Sequence, residues 1–285
     1  WQSLGVRRVV LSGGEALMHS RLWALCDVIR SAGIDITILS TGLLLRRDAV
    51  QLVEHCDEIV VSLDGPRDVH DRIRNVPRAY DRLADGVAAV READSRTVVA
   101  GRCTVQRTNA HALRGTVAAA HSVGLDRISF LAADVSSNAF NRPLGWDAPR
   151  AAEVAIDVND LPTLAAEIDA MERECGADFA SGYIAEPPEK LRRRLTQYFA
   201  ALGGHGDYFP NECNAPWVST VIETDGTVRP CFFQPPLGNV HATGSLEKIL
   251  NSTEAIDWRR GLDVRRNAIC RTCVCTLSLG TATAP

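Results

Sequence analysis

Apolar runs of strand length alternate with amphipathic stretches over the first half of the chain. The strand candidates are rich in Val and Ile and are bounded by Gly, Asp or Ser; they are Val6–Leu11, Ile34–Leu39, Glu58–Leu63, Thr97–Val105 and Arg127–Leu131. Between them, apolar residues recur at helical spacing, as in the stretch from Leu22 to Ile29 that ends at Gly33. Strict alternation of strand and helix predicts an α/β fold with parallel strands joined by right-handed crossovers, either a doubly wound sheet or a full or partial barrel.

Polar residues near the start of two predicted helices are candidates for their N-caps. Asp48 precedes the inward-facing Val50 and Val53, and Asn109 precedes a stretch that ends at Gly124. Short polar side chains at these positions can accept hydrogen bonds from the first free N–H groups of a helix. We therefore expect both residues to act as caps.

The second half of the chain predicts more helices than strands. A loop from Ala139 to Trp146 precedes a helix from Leu161 to Met171 and another that Pro187–Pro188 opens. Gly203–Gly206 then marks the start of a cysteine-rich tail. We expect three parts: a barrel domain over residues 1–140, a helical linker region that completes its core over 141–206, and a small cysteine-rich domain over 207–285.

Composition excludes several classes of protein. The 285 residues are 46% hydrophobic, which is enough for one large α/β domain and a small appended one. The formal net charge is −4 and no Lys/Arg run is interleaved with aromatics, so we expect no nucleic-acid partner. No apolar stretch reaches membrane-spanning length, and we expect a cytoplasmic protein with reduced thiols and no membrane association.

Small and polar residues follow the first three predicted strands. They are Ser12-Gly13-Gly14-Glu15, Ser40-Thr41-Gly42 and Ser62-Leu63-Asp64-Gly65, the last followed by His70 and Arg74. Taken alone, the first cluster is typical of a tight strand-to-helix turn with a solvated Glu, and His70 fits a half-buried helix position equally well. Together, however, the clusters stand where parallel sheets present ligands, so we predict a binding site there.

Four cysteines in the last quarter of the chain indicate a metal centre. Cys213, Cys231, Cys270 and Cys273 form a C-x17-C pair followed by C-x2-C. A hairpin turning at Gly226, with strands over Trp217–Ile222 and Thr227–Arg229, would bring Cys213 and Cys231 to the same end. Thiolates suit a tetrahedral zinc ion or an iron–sulfur cube, and the spacing alone favours zinc. The other cysteines are interpreted as core residues (Cys26, Cys56 and Cys175) or are given no role (Cys103).

These motifs together resemble those of radical S-adenosylmethionine (radical SAM) enzymes with a SPASM/twitch-type auxiliary-cluster domain. Leu11 to Glu15 resembles the GGE motif, Ser62 to Arg74 resembles an SxDG…H…R stretch, and Ser40-Thr41-Gly42 stands where many members carry Thr-Asn-Gly. The resemblance implies a partial (β/α)6 TIM-like barrel that binds S-adenosylmethionine. The implied cofactor-binding residues are Ser12, Gly13, Gly14, Glu15, Ser40, Thr41, Ser62, Asp64 and Arg74.

The same resemblance assigns the four tail cysteines to one auxiliary [4Fe–4S] cluster rather than to zinc. Cys213, Gly226 and Cys231 follow a C-x12-G-x4-C arrangement similar to that of the shorter, twitch-like domain, and Cys270 and Cys273 complete the set. Cys275 is the reserve candidate for one ligand. A full SPASM domain would need further cysteines for a second auxiliary cluster.

One motif of the family is absent from this sequence. Members carry C-x3-C-x2-C on the loop after the first barrel strand, where it holds the cluster that cleaves S-adenosylmethionine, and no such spacing occurs here. The chain also starts at Trp1, only a few residues before the strand-like run at Val6. We therefore expect a fragment that lacks the first strand and its cluster loop and is inactive alone, with the second [4Fe–4S] cluster present only in the full-length protein.

The resemblance implies an enzyme that generates a 5′-deoxyadenosyl radical for hydrogen abstraction, most simply in peptide modification or maturation. It also implies a peptide or small-molecule substrate and a reducing electron donor such as flavodoxin or ferredoxin. One alternative is a small-molecule radical SAM dehydrogenase or cyclase. Another is a non-catalytic barrel in which a structural zinc ribbon makes the protein a binding module.

Overall fold

Parallel strands joined by helices build the first part of the molecule. The structure is a computed structural model and describes residues 2–94, 96–139, 142 and 145–277. Five parallel strands form one sheet in chain order, and they are β1 (Arg8–Leu11), β2 (Asp35–Ser40), β3 (Glu58–Ser62), β4 (Val98–Val105) and β5 (Arg127–Ala132). The predicted alternation is confirmed, and the sheet is an open α/β barrel segment rather than a closed barrel.

Helices connect the strands and continue after the last of them, up to Leu202. They are α1 (Leu22–Ser31), α2 (Leu45–His55), α3 (Arg67–Arg74), α4 (Ala79–Ala93), α5 (Leu113–Val123), α6 (Ala148–Val154), α7 (Leu161–Glu174), α8 (Gly176–Ser181), α9 (Pro188–Leu191) and α10 (Tyr198–Leu202). A π-helical stretch, Arg192–Gln197, joins the last two. The predicted helix ends at Gly33 and Gly124 and the predicted start at Pro188 are confirmed.

The two faces of the sheet differ in burial. Side chains alternate across a strand, so every second residue of the sheet points to the same face. One face consists of fully buried residues such as Ile38, Ile59 and Val99, and helix residues such as Ile29 and Leu52 are equally buried. On the other face Val10 is 53% exposed and Arg102 is exposed. This second face is the open inner surface of the barrel segment, where a ligand can reach the strand ends.

A single residue pairs with the outer edge of β5. Ile184 forms an isolated parallel bridge with Ile128. The N–H of Ile128 donates to the carbonyl of Tyr183 at 2.8 Å, and the N–H of Ala185 donates to the carbonyl of Ile128 at 2.9 Å. The five strands are those that the sequence predicts, and this bridge adds one residue pair to the last of them.

Both predicted N-caps are wrong. The helix α2 begins at Leu45 rather than after Asp48, and the Asp48 carboxylate instead accepts from the guanidinium of Arg47 at 2.6 Å. The helix α5 begins after Ala112, and Asn109 lies buried between two strand ends. A polar residue before an apolar stripe indicates a helix start, but here each side chain has another partner: the neighbouring Arg47 for Asp48, and the distant Asp64 carbonyl for Asn109.

The chain divides into two compact units. One comprises Trp1–Ala132 and Ile156–Phe199, and the other comprises Ala133–Ala155 and Ala200–Pro285. The domain boundaries predicted at residues 140 and 206 stay predictions. Trp1, residues 140, 141, 143 and 144 of the predicted linker, and residues 278–285 of the predicted tail lie outside the described residues.

The second unit contains a small antiparallel sheet and short helices. Its strands are β6 (Val221–Ile222), β7 (Thr227–Arg229) and β8 (Gly238–Asn239), and its later helices are α11 (Ala215–Val218), α12 (Val240–Thr243), α13 (Leu246–Leu250), α14 (Thr253–Gly261) and α15 (Ala268–Arg271). The hairpin that turns at Gly226 is confirmed. Its first strand is shorter than predicted, because Trp217 and Val218 belong to the helix α11. No helix among the described residues has the length and hydrophobicity needed to cross a membrane.

Candidate functional site

The loop after β1 is open to solvent. Ser12, Gly13 and Gly14 are exposed, and a Cβ added at either glycine would meet no atom within 4 Å. Gly13 has a φ of +151°, a conformation that glycine adopts more readily than other residues. A ligand can therefore approach the backbone of this loop closely, as the sequence predicted.

Glu15 ties this loop to the end of β2. Its Oε2 accepts hydrogen bonds from the Ser40 hydroxyl at 3.1 Å, from the Thr41 N–H at 2.8 Å and from the Thr41 hydroxyl at 2.5 Å. Its Oε1 accepts from the N–H of Leu17 at 3.2 Å and so begins the short turn Ala16–Met18. A carboxylate oxygen accepts about two hydrogen bonds, so Oε1 retains capacity for one more donor, such as an ammonium group.

The end of β3 carries a buried ion pair. Asp64 is 1% exposed, its Oδ2 lies 2.5 Å from the Arg74 guanidinium, and its Oδ1 accepts from the N–H of Thr104 at 3.2 Å. Arg74 closes the helix α3 and its side chain is 25% exposed. Arg74 is thus held at the strand edge by a carboxylate that solvent does not reach, and it can still meet a ligand.

His70 is neutral in this setting. It is fully buried, and its Nδ1 accepts from the N–H of Asp64 at 3.2 Å, so the proton of the neutral ring resides on Nε2. Burial is the main cause that lowers the pKa of His70; the Asp64 charge opposes this effect and the Arg74 charge adds to it. The half-buried helix position considered for His70 is in fact a full core position that supports the strand end.

Asn109 helps to shape this edge of the sheet, a role that the sequence pattern did not predict. Its Nδ2 donates to the carbonyl of Asp64 at 2.9 Å and to that of Thr104 at 3.1 Å, and its Oδ1 accepts from the N–H of Gln106 at 2.8 Å. It is fully buried. Asn109 therefore clamps the ends of β3 and β4 together at the edge that carries Asp64.

Ser62 and Arg102 project from the inner face of the sheet. They are paired in the register of β3 and β4, and the buried residues on either side of them, Val61 and Leu63, point to the helices. Among the residues that the structure describes, no side-chain hydrogen bond joins Ser62 to the Glu15 group. Arg102 could have been predicted from the sequence. It is the one charged residue in a largely apolar strand, so the face to which it points is expected to be polar.

The predicted site residues thus fall into groups along one edge. Because β1, β2 and β3 are adjacent and parallel, the Gly13 loop, the Ser40–Thr41 turn and the Ser62–Asp64 turn all lie at their carboxyl ends. Glu15 directly joins the first two groups, while Asp64 and Arg74 form a separate pair. This edge carries exposed backbone groups, a carboxylate that retains one acceptor site, hydroxyls and guanidinium groups.

The four predicted cysteine ligands line one cavity in the second unit. Cys213, Cys231, Cys270 and Cys273 share it with Cys275, which is itself exposed. Burial raises the pKa of the Cys231, Cys270 and Cys273 thiols, and the nearby charges of the other cysteines add to the effect. Such a set of buried thiols fits a positively charged metal core, which would neutralise the thiolates.

The spacing of these side chains does not match a single zinc ion. Among the described residues, no three Cys, His, Asp or Glu side chains are arranged to hold one metal ion. A tetrahedral zinc site would bring its sulfurs to roughly 3.8 Å from one another, given Zn–S bonds of about 2.3 Å. Thiolate is also the ligand type that holds iron–sulfur clusters, and four cysteines are the number that a [4Fe–4S] cluster takes.

Two parts of the chain match known families. The Radical SAM superfamily matches residues 2–119, and SPASM, an iron-sulfur cluster-binding domain, matches residues 213–274. The first of these segments therefore matches the radical SAM superfamily, and the second matches the SPASM domain. The predicted cofactor classes, S-adenosylmethionine and [4Fe–4S] clusters, are confirmed at the level of these families.

Curated relatives resemble only part of the chain. AdoMet-dependent heme synthase from Methanosarcina barkeri (strain Fusaro / DSM 804) is 27% identical over 125 residues, which is 43% of this chain and 35% of the relative. Sporulation killing factor maturation protein SkfB from Bacillus subtilis (strain 168) is 29% identical over 108 residues, 37% of this chain and 26% of the relative. The matched segments thus span between 26% and 35% of these relatives.

The fold is similar to that of a solved enzyme structure. Native anSMEcpe with bound AdoMet and the Cp18Cys peptide superposes with a TM-score of 0.62 at 15% identity, over 93% of this chain and 74% of that one. At this identity the likeness is one of fold. It agrees with an open α/β barrel followed by a cysteine-rich domain.

Proposed function

We propose that this chain is the cofactor-binding part of a radical SAM enzyme that modifies a peptide. The observation that carries the proposal is the Glu15 group, in which one carboxylate joins the exposed Gly13–Gly14 loop to the Ser40–Thr41 turn. This arrangement leaves the loop backbone exposed and Glu15 Oε1 with capacity for one more hydrogen bond. An α-amino group with neighbouring polar atoms is the ligand chemistry that fits such a surface.

In this proposal each residue group has a separate task in holding S-adenosylmethionine. The Gly13–Gly14 backbone and Glu15 bind the methionyl ammonium group, and Ser62 meets the ribose or the carboxylate. Arg74 supplies positive charge near the carboxylate, and Asp64 fixes Arg74 in place. When bound beside a reduced [4Fe–4S] cluster, S-adenosylmethionine supplies the 5′-deoxyadenosyl radical that abstracts hydrogen from the substrate. The open inner face of the sheet then orients that substrate.

We assign the auxiliary [4Fe–4S] cluster to Cys213, Cys231, Cys270 and Cys273. Support comes from their common cavity and from the SPASM match, which begins at Cys213. Cys273 is preferred to Cys275 because Cys275 is exposed, while Cys273 is partly buried.

A peptide substrate is favoured by the relatives that the chain resembles. SkfB is a maturation protein for sporulation killing factor, and anSMEcpe was solved with a bound peptide. We further propose a low-potential one-electron donor, flavodoxin or ferredoxin, and a cytoplasmic location. The location is supported by the nine cysteines, all of which are free thiols.

The test is reductive cleavage of S-adenosylmethionine by the natural gene product that contains these 285 residues. The protein is reconstituted anaerobically with iron and sulfide, reduced with dithionite and assayed for 5′-deoxyadenosine, with and without a short peptide encoded beside its gene. We expect 5′-deoxyadenosine formation, and transfer of deuterium into it from a deuterated peptide. Cleavage stimulated only by a small molecule would contradict the peptide assignment. Absence of cleavage by cluster-loaded protein would contradict the enzyme assignment.

A further inference from the structure

Gln234 is a buried polar residue among the predicted cluster ligands. It lies three positions after Cys231, is 1% exposed and lines the same cavity as the four cysteines. A buried primary amide must direct both of its N–H bonds to acceptors, because leaving one unpaired costs about 1–3 kcal/mol. The hydrogen-bond partners of the Gln234 side chain therefore indicate its structural role.

The orientation of the Gln234 amide follows from its neighbours. Asn267 Oδ1 accepts from the N–H of Cys270 at 3.0 Å, so this atom of Asn267 must be the oxygen. Gln234 Nε2 lies 3.1 Å from the same oxygen and donates one hydrogen to it. Its second hydrogen is directed to Cys270 Sγ, which lies 3.1 Å from Nε2.

Another predicted ligand takes its hydrogen bond from a different part of the chain. Cys213 Sγ accepts from the backbone N–H of Leu277 at 3.4 Å. The amide of Gln234 is instead directed to the sulfur of Cys270.

We propose that Gln234 is a positioning residue that fixes Cys270 and raises the reduction potential of the cluster held by these cysteines. The inference rests on the proposed function, specifically on the assignment of the auxiliary [4Fe–4S] cluster to this cavity. One-electron reduction takes the core from the 2+ to the 1+ state and places more negative charge on the thiolate sulfurs. An N–H donor stabilises that charge, and the reduced state is therefore favoured.

The test uses the 285-residue chain itself, whose sequence contains no C-x3-C-x2-C motif and which should hold the auxiliary cluster alone. The chain is reconstituted anaerobically, and its midpoint potential is measured by a dithionite titration followed by electron paramagnetic resonance. The variants are Gln234→Met, which keeps the volume without the donors, and Gln234→Asn, whose shorter amide does not reach Cys270 Sγ. Thr220→Val is the matched control, because it removes a hydroxyl that donates to the Arg229 carbonyl at 2.8 Å and contacts no sulfur.

We expect both Gln234 variants to bind as much iron and sulfide per chain as the wild type and to shift to a more negative midpoint potential, while Thr220→Val does not shift. An unchanged potential in iron-loaded Gln234 variants would overturn the inference and leave the cluster assignment intact. Loss of the cluster from both variants, with Thr220→Val fully loaded, would also overturn the tuning role. A wild-type chain that binds no iron and sulfide would instead refute the proposed cluster site.

Discussion

Asn109 shows how one side chain can fix the geometry of the cofactor edge. It is fully buried and hydrogen-bonds to the backbone of Asp64, Thr104 and Gln106, which belong to the ends of β3 and β4 and the turn that follows. The bond to the Asp64 carbonyl is buried, so water does not readily replace the amide there. The position of the Asp64–Arg74 pair therefore depends on this residue.

Replacing Asn109 with Ala should destabilise the first unit by about 2–4 kcal/mol, because more than one buried backbone group loses its partner. Urea denaturation followed by circular dichroism measures the loss. His111→Ala is the matched control, since His111 is exposed two positions away and should change stability by less than about 0.5 kcal/mol. Equal stability of Asn109→Ala and His111→Ala would show that Asn109 does not hold the strand ends.

The residues at the carboxyl edge of the sheet could be predicted from the sequence, but many of their hydrogen-bond partners could not. Glu15, Ser40 and Thr41 were placed together correctly, because carboxyl ends of adjacent parallel strands meet at one edge. Asn109 was misassigned as a cap, since its main partner Asp64 lies 45 positions away and leaves no trace in local spacing. Arg102 was missed for a related reason: only the register with Ser62 shows which face it occupies.

At the scale of elements, the outer edge of β5 is covered by single contacts rather than by another strand among the described residues. Ile184 supplies one bridge to Ile128, and two positions further the Glu186 carboxylate accepts from the N–H of Phe130 at 3.0 Å. A side-chain oxygen thus takes the place of a strand carbonyl. Burial is the main cause that raises the pKa of Glu186, while the Phe130 N–H and the charges of Lys190 and Arg102 oppose it.

This raised pKa predicts a pH-dependent difference between the wild type and Glu186→Gln. The folded state holds the Glu186 proton more tightly than the unfolded state, whose pKa is 4.5, so wild-type stability falls as pH rises from 4.5 through the folded pKa. Gln keeps the acceptor oxygen without a charge. We expect Glu186→Gln to gain stability relative to the wild type between pH 4 and pH 7, as measured by thermal unfolding across that range.

Glu186→Ala controls for the hydrogen bond, since it leaves the Phe130 N–H without an acceptor. It should be less stable than the wild type by about 1–3 kcal/mol. A stability difference between Glu186→Gln and the wild type that stays constant with pH would show that the carboxylate is not held in an unfavourable environment.

The strands were the most predictable elements of the chain. Each predicted strand overlaps an observed one, because buried parallel strands require continuous Val- and Ile-rich runs. Boundaries set by tertiary contacts were less predictable: α2 begins three residues before Asp48, and Trp217 and Val218 form a helix where a strand was expected. The single bridge at Ile184 was not predicted, since one residue carries no periodicity.

At the scale of the whole molecule, the chain combines two compact units with different chemistry. The first presents polar groups at the carboxyl edge of a parallel sheet, and the second gathers cysteines from three separate segments around one cavity. The radical SAM and SPASM matches cover these two regions respectively. We therefore propose that the first unit binds the nucleoside cofactor and that the second unit holds the cluster.

Calorimetric titration of S-adenosylmethionine into the anaerobically reconstituted gene product tests the central claim, that the edge around Glu15 binds this cofactor. Glu15→Ala should weaken binding by about 1.5–3 kcal/mol, roughly 10- to 150-fold, the range of a charge-assisted hydrogen bond. Glu54→Ala, at an exposed position on α2, should bind like the wild type. Unchanged affinity in a folded Glu15→Ala variant would contradict the account and place the cofactor elsewhere.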